Sequence, residues 1–324
     1  MSGKQSGIGS NFLVGGYDLS GDVNAIDSIH CGLALLDSTD ITQEAHSRLP
    51  SQRDGSMAFT VFFDASNAHP VLSAQPAADE LMTALLPPLS VGSAAACCNA
   101  KQIDYPPARA SDAGLTMKVE GQGNGYATEW GLQLTPGQRT DTTATDGTDL
   151  NNGASTAFGA QCYLQAVAFT GTSVTVTIQH APDGSTWATL AAFAAVDAAP
   201  ATQRIATFSG TFSATDASPA VFTAPGSAFS NGTPVALAAP PLPQLLPGGF
   251  TAGTTYYVVS ASGDTFELSA TSGGSAINSS SAGTGAVNQV VEQYLRVITS
   301  GTFSSATFAV MVNRNTAMAN FAGG

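Results

Sequence analysis

LALLDSTDITQEAHSRLPSQRDGSMAFTVFFD, residues 33–64, decides how this chain is read. Leu33 and Leu35 end an apolar strand. Asp37-Ser-Thr-Asp40 then reads as a turn and helix start, because short polar side chains satisfy the free amides of a first helical turn. The spacing predicts one or two polar helical turns over residues 41–48, stopped by Pro50, since proline disfavours helix in the residue before it. Arg53-Asp54-Gly55 predicts a tight turn. Beyond it Met57, Phe59, Val61 and Phe63 alternate with Ser56, Ala58, Thr60 and Asp64. That period of two marks a half-buried strand.

Working outward, similar strands are expected over residues 12–19, 28–36, 94–102, 114–121 and 126–134. In 114–121, Leu115, Met117 and Val119 oppose Thr116, Lys118 and Glu120. In 126–134, Tyr126, Trp130, Leu132 and Leu134 oppose Ala127, Glu129, Gly131 and Gln133. One longer helix is expected over 77–86, between Pro76 and Pro87-Pro88, with Asp79 and Glu80 at its positive end. Residues 1–11 read as a flexible arm. Residues 135–156 are rich in turn formers and nearly free of large apolar side chains, which predicts a domain boundary. Strand pairs follow at 161–180 and 294–314. Between them, residues 213–286 carry only Asp216, Asp264 and Glu267 as charges, a cluster of Pro240, Pro241, Pro243 and Pro247, and strands at 254–260 and 265–270. They read as an insertion. The expected fold is all-β with minor helices: a β-sandwich or barrel domain over 1–155, then a jelly-roll-like β-sandwich over 156–212 and 287–324, carrying a small β module at 213–286.

The formal charge of the 324 residues is −13, although only 10% are charged. Residues 1–155 hold seventeen acidic against seven basic side chains, and residues 156–324 six against three. A negative surface repels phosphate, which argues against stable nucleic-acid binding. Cys31, Cys97, Cys98 and Cys162 form no C-x-x-C pair, so no zinc site is expected and Cys97-Cys98 read as buried thiols. No signal peptide and no membrane-spanning run are read, which fits synthesis in the cytoplasm.

Catalytic chemistry finds no support. His30, His46, His69 and His180 are scattered, no G-x-S-x-G is present, and Gly121–Gly125 lacks the frame of a phosphate loop. Asp141, Asp146 and Asp149 miss the spacing of a calcium loop. No enzyme, cofactor or metal is expected.

The wording DITQ (40–43) and AHSRLPSQRDGSM (45–57) resembles the major tail tube proteins of long-tailed, siphovirus-type bacteriophages. FLVGGYDLSGDVNAI (12–26), AHPVLSAQP (68–76) and YATEWGLQL (126–134) agree, in the same order. The resemblance implies a structural virion protein made in the host cytoplasm and built into the tail. It implies homo-hexameric rings, stacked into a tube that conducts DNA without binding it stably. It also implies a tape measure protein inside the tube, terminator and distal tail proteins at its ends, and no membrane partner. Asp64, Glu120 and Glu129 become candidates for the channel wall. The segment 37–55, with Asp37, Asp40, Glu44, Arg48, Arg53 and Asp54, would reach the adjacent ring, and the arm 1–11 would order on stacking. The second half resembles carbohydrate-binding jelly rolls of phage virion proteins, and residues 250–277 resemble small β modules of tail and fibre proteins. A host-carbohydrate binder, using Phe250, Tyr256 or Tyr257, or a capsid decoration or fibre protein, is therefore the alternative expectation.

Overall fold

A computed structural model describes residues 6–74, 78–109, 114–240 and 243–315. The protein is nearly all-β, with 55% strand and 2% helix. The first part carries β1 (Asn11–Val14), β2 (Tyr17–Asp18), β3 (Val23–Asp37), β4 (Arg48–Phe62), β5 (Glu80–Leu85), β6 (Ala94–Asp104), β7 (Pro107–Arg109), β8 (Leu115–Gly123) and β9 (Glu129–Gln133). A short helix, α1 (Ala68–Leu72), lies between β4 and β5. Next come β10 (Arg139–Asp141), β11 (Leu150–Asn151), β12 (Ala160–Ala181), β13 (Ala188–Ala192) and β14 (Ala201–Ala206). The last elements are β15 (Ser209–Ala214), β16 (Phe222–Thr223), β17 (Pro234–Ala238), β18 (Thr255–Ser262), β19 (Thr265–Ser269), β20 (Gly283–Gln289) and β21 (Tyr294–Arg314).

Fifteen strands form one antiparallel sheet, and β15 to β20 close a separate six-stranded barrel. In the first part, β5–β6 and β6–β8–β4 curl so far that Phe12 of β1 meets Phe59 of β4, ring centroids 4.3 Å apart. Their inner face holds Met57, Phe59, Val61, Met82, Met117 and Val119, and Ala68 and Leu72 of α1 plug it. The other face of β1, β5 and β6 is also buried: Leu13, Leu81, Leu85 and Cys97 pack on Tyr163, Ala309 and Met311 of the long β12–β21 pair. Consecutive residues therefore serve two cores. Cys98 faces the first and its neighbour Cys97 the second, which accounts for an adjacent pair of small apolar thiols.

Three expectations are corrected here. The helix over 77–86 is instead β5; Pro76 and Ala77 lie outside the described residues. Leu81 through Leu85 are all buried, on both faces, so no period of two marks the strand. The linker-like residues 135–156 lie along β21: Arg139–Asp141 pair with Phe308–Ala306, Asp146 bridges Ile298, and Leu150–Asn151 pair with Leu295–Tyr294. Residues 41–48 form turns and the start of β4, as described below. Of the arm 1–11, residues 1–5 lie outside the described residues and Asn11 opens β1.

The barrel leaves and rejoins the sheet through paired strands, Ser209 opposite Asn288 and Gly210 opposite Val287. Its own core contains Phe212, Phe222, Phe250, Tyr256, Phe266 and Leu268. Phe222 packs on the rings of Phe212, Phe250 and Phe266. Replacing residues 210–287 by Asn-Gly, a two-residue turn that joins opposed strand residues, should leave the remainder folded. Circular dichroism and a single cooperative melt would check this; an aggregated product would mean that the sheet depends on the barrel.

Candidate functional site

β3 pairs only with β4 among the described residues, and β4 leaves β8 after Ser56, which faces Gln122. From there outward, residues 31–54 are a two-stranded ribbon projecting from the sheet, Leu33 opposite Arg53 and Asp37 opposite Arg48. Arg53-Asp54-Gly55, expected as a turn, is extended strand. Gly55 is needed there for close approach: a Cβ at this position would collide with the backbone nitrogen of Thr128. Pro50 sits opposite Leu35 beside a register shift between Leu33 and Leu35, on a strand free of further partners.

At the ribbon tip no helix forms, because side chains compete for the backbone. The Asp37 carboxylate accepts from the Thr39 amide at 2.9 Å, and the Asp40 carboxylate from the Thr42 amide at 2.8 Å. The hydroxyls of Thr39 and Thr42, then their amides, hold both carboxyls below the usual range. Ser47 N donates to Thr39 Oγ1 at 2.9 Å, and His46 Nδ1 lies 3.2 Å from Asp37 Oδ2. Glu44 and Arg48 are exposed and form no ion pair among the described residues. Along the ribbon Leu33, Leu35, Leu36, Ile41 and Leu49 stand in water, between 53% and 105% exposed.

Where the ribbon meets the body, Arg53 lies 3.7 Å from Glu129. Glu129, expected on an open wall, is 5% exposed and faces inward, towards Tyr163 of β12. The Tyr163 hydroxyl donates to it, Arg204 Nε donates to Tyr163, and the Arg204 guanidinium stacks on Tyr126 at 3.6 Å. The alternation of β9 is thus inverted: Glu129 and Gln133 are buried, while Trp130 is 44% exposed beside an apolar concavity of about 390 Å³. No local pattern announces this. The partners of Glu129 come from β4 and β12.

Glu120 does lie on a surface. The outer face of β3, β4, β8 and β6 carries Asp27, Asp54, Asp104 and Glu120, against Lys101 and Lys118, and Asp79 joins it from just before β5. Thr60 Oγ1 donates to Asp27 at 2.8 Å, Gln122 to Asp54 at 2.9 Å, and Lys101 pairs with Asp79 at 2.8 Å. Asp27, Asp104, Lys118 and Glu120 line an open groove of about 420 Å³. Asp64 is half-buried and caps the turn before α1, accepting from the amides of Ser66 and Asn67 at 2.6 and 3.2 Å.

Two of the acids that miss the spacing of a calcium loop form ion pairs instead. Asp141 pairs with Arg139 at 2.8 Å and Asp146 with Arg296 at 3.2 Å. No group of three His, Cys, Asp or Glu could hold a metal among the described residues, and no helix there is long and apolar enough to cross a membrane. Phe250 and Tyr256, considered for carbohydrate contact, are buried in the barrel core, and Tyr257 is half-buried.

A second buried ionisable pair sits at the root of the barrel. His180 Nδ1 accepts from the Glu292 amide at 3.3 Å and lies 3.8 Å from its carboxylate, while His180 Nε2 has no partner among the described residues. Burial pushes His180 down to about 4. Burial, then the charge of Asp183, pushes Glu292 up to about 7. The folded protein holds the Glu292 proton more tightly than the unfolded chain does, so this group's contribution falls as pH rises through about 7. His180 acts oppositely: its contribution is lost as pH falls towards about 4. Below about pH 6.5 the two contributions oppose each other, so the melting temperature should fall mainly between about pH 6.5 and 8, and Glu292→Gln should flatten that slope. An unchanged slope would remove Glu292 as its source.

The chain matches no protein-family model, and no curated protein matches it significantly.

Proposed function

We propose that this chain is a self-assembling structural protein whose copies stack into a tube around an acidic conduit for DNA, as a phage tail tube does. The observation that carries this reading is the ribbon. It holds five large apolar side chains in water, bonds to its own body only at its base among the described residues, through Arg53 to Glu129 and Asp54 to Gln122, and displays an unpaired strand edge. Such an edge is a liability in a lone molecule and an asset in an assembly. The acidic outer face supports the second half of the reading, because fixed carboxylates on a bore wall repel phosphate and let DNA slide. The hexameric ring, the tape measure protein and the end-capping partners are what the resemblance adds. Burial of Phe250 and Tyr256 leaves no observation favouring the carbohydrate reading.

Electron microscopy and sedimentation of the purified chain test this. Tubes or stacked rings with an open bore are expected. A strictly monomeric species at high concentration, or a solid fibre, would overturn it.

A further inference from the structure

β4 is one continuous strand of fifteen residues, so at about 3.3 Å per residue its ends lie roughly 45–50 Å apart. Its first end, with Arg48 and Leu49, belongs to the ribbon. Its other end is Phe62, 48% exposed, followed by Phe63 at 41%. Phe63 N donates to Leu115 O at 3.0 Å, which brings the 39%-exposed Leu115 beside them. Phe63 packs on His69, whose Nδ1 is 3.1 Å from the Tyr105 hydroxyl, so this rim has a firm backing. The body thus presents two apolar surfaces at opposite ends of the same strand.

The geometry points to a receptor: we propose that the rim of Phe62, Phe63 and Leu115 receives the ribbon of a second copy, head to tail. This rests on the assembly reading above and names the surface the ribbon grips. The surfaces suit each other chemically. The ribbon offers aliphatic Leu35, Leu36 and Leu49, the rim aromatic and aliphatic side chains. Charges match as well: Arg48 and Glu44 on the ribbon form no ion pair among the described residues, while Asp22 and Asp64 on one side of the rim and Arg109 opposite Leu115 supply the complementary signs. Because the two surfaces differ and lie at opposite ends, the contact is heterologous and open. Repetition propagates along the strand direction and does not close on itself as a dimer.

The experiment combines a point variant with cross-linking. Phe62→Glu alters an exposed side chain, so circular dichroism and the melting temperature should hold, while the critical concentration for assembly rises at least about tenfold. Wild-type assembly threshold in a folded Phe62→Glu protein would overturn the proposal. In a Cys31→Ser background, Leu36→Cys with Leu115→Cys places one thiol on each surface; the remaining thiols are buried and inert. Treating assembled protein with a short bismaleimide should give a ladder of covalent multimers. Tubes that form but give no ladder would show that the ribbon grips another surface, leaving the tube reading intact. Absence of any assembly from the wild-type chain would overturn both.

Discussion

Replacing residues 34–52 with Asn-Gly, so that a two-residue turn joins Leu33 to its strand partner Arg53, should abolish the proposed tube assembly and leave the subunit folded. The register makes this cut clean, because Leu33 and Arg53 are already opposed. Arg53 is retained, so buried Glu129 keeps its cation. The removed residues contribute nothing to any of the four apolar clusters of the body. The melting temperature should therefore move by no more than a few degrees. Assembly, in contrast, loses Leu35, Leu36, Ile41 and Leu49, each worth about 1 kcal/mol when its exposed half is buried against a neighbour. Summed over a ring that is decisive. Sedimentation should show only the small species at concentrations where the parent chain pellets as tubes. Normal tubes from the shortened chain would refute the ribbon's role, and with it the principal argument for assembly.

The same ribbon shows what a sequence can and cannot disclose. The strand from Ser56 onward was legible because one face is buried and the other is wet, so Met57, Phe59 and Val61 alternate with Ala58 and Thr60. The ribbon itself has no buried face, and its residues carry no periodicity to read. Asp37, Asp40 and Thr42 look like a helix start, yet here they bond their own turns. β5 fails for the opposite reason. Both its faces are buried, and Leu81, Met82, Ala84 and Leu85 are good helix formers that a two-sided packing environment holds extended. Glu129 was misplaced because alternation assigns polar side chains to water. Its burial depends on Arg53 and Tyr163, which come from strands that sequence spacing does not bring together. Glu120 is half-exposed on the outer face, as its alternation with the buried Met117 and Val119 leads one to expect.

With Glu129 buried, a charge reversal that tests a bore wall belongs on the outer face. Asp27→Lys, Asp104→Lys and Glu120→Lys together reverse three carboxylates around one groove that already contains Lys118. Each swap changes the local charge by two, and the groove turns from acidic to wholly basic. The folding cost should be small, because the side chains are exposed or half-exposed and, among the described residues, lose only bonds to Thr60 and to the Tyr105 amide. Repeated around a ring, the reversed face presents a belt of cations at the spacing of the subunits. If that face lines a bore, tubes of the triple variant should take up DNA and protect it from nuclease. Retention should weaken steeply with salt, at about 0.9 in log affinity per log salt for each phosphate neutralised. Parent tubes should retain none, because every copy adds carboxylates to the wall. DNA that binds but is digested would place the face on the outside of the assembly, and failure to bind at all would separate the acidic surface from any contact with DNA. Protection tied to these three positions would make repulsion, with no bond chemistry, the means by which the channel lets its cargo move.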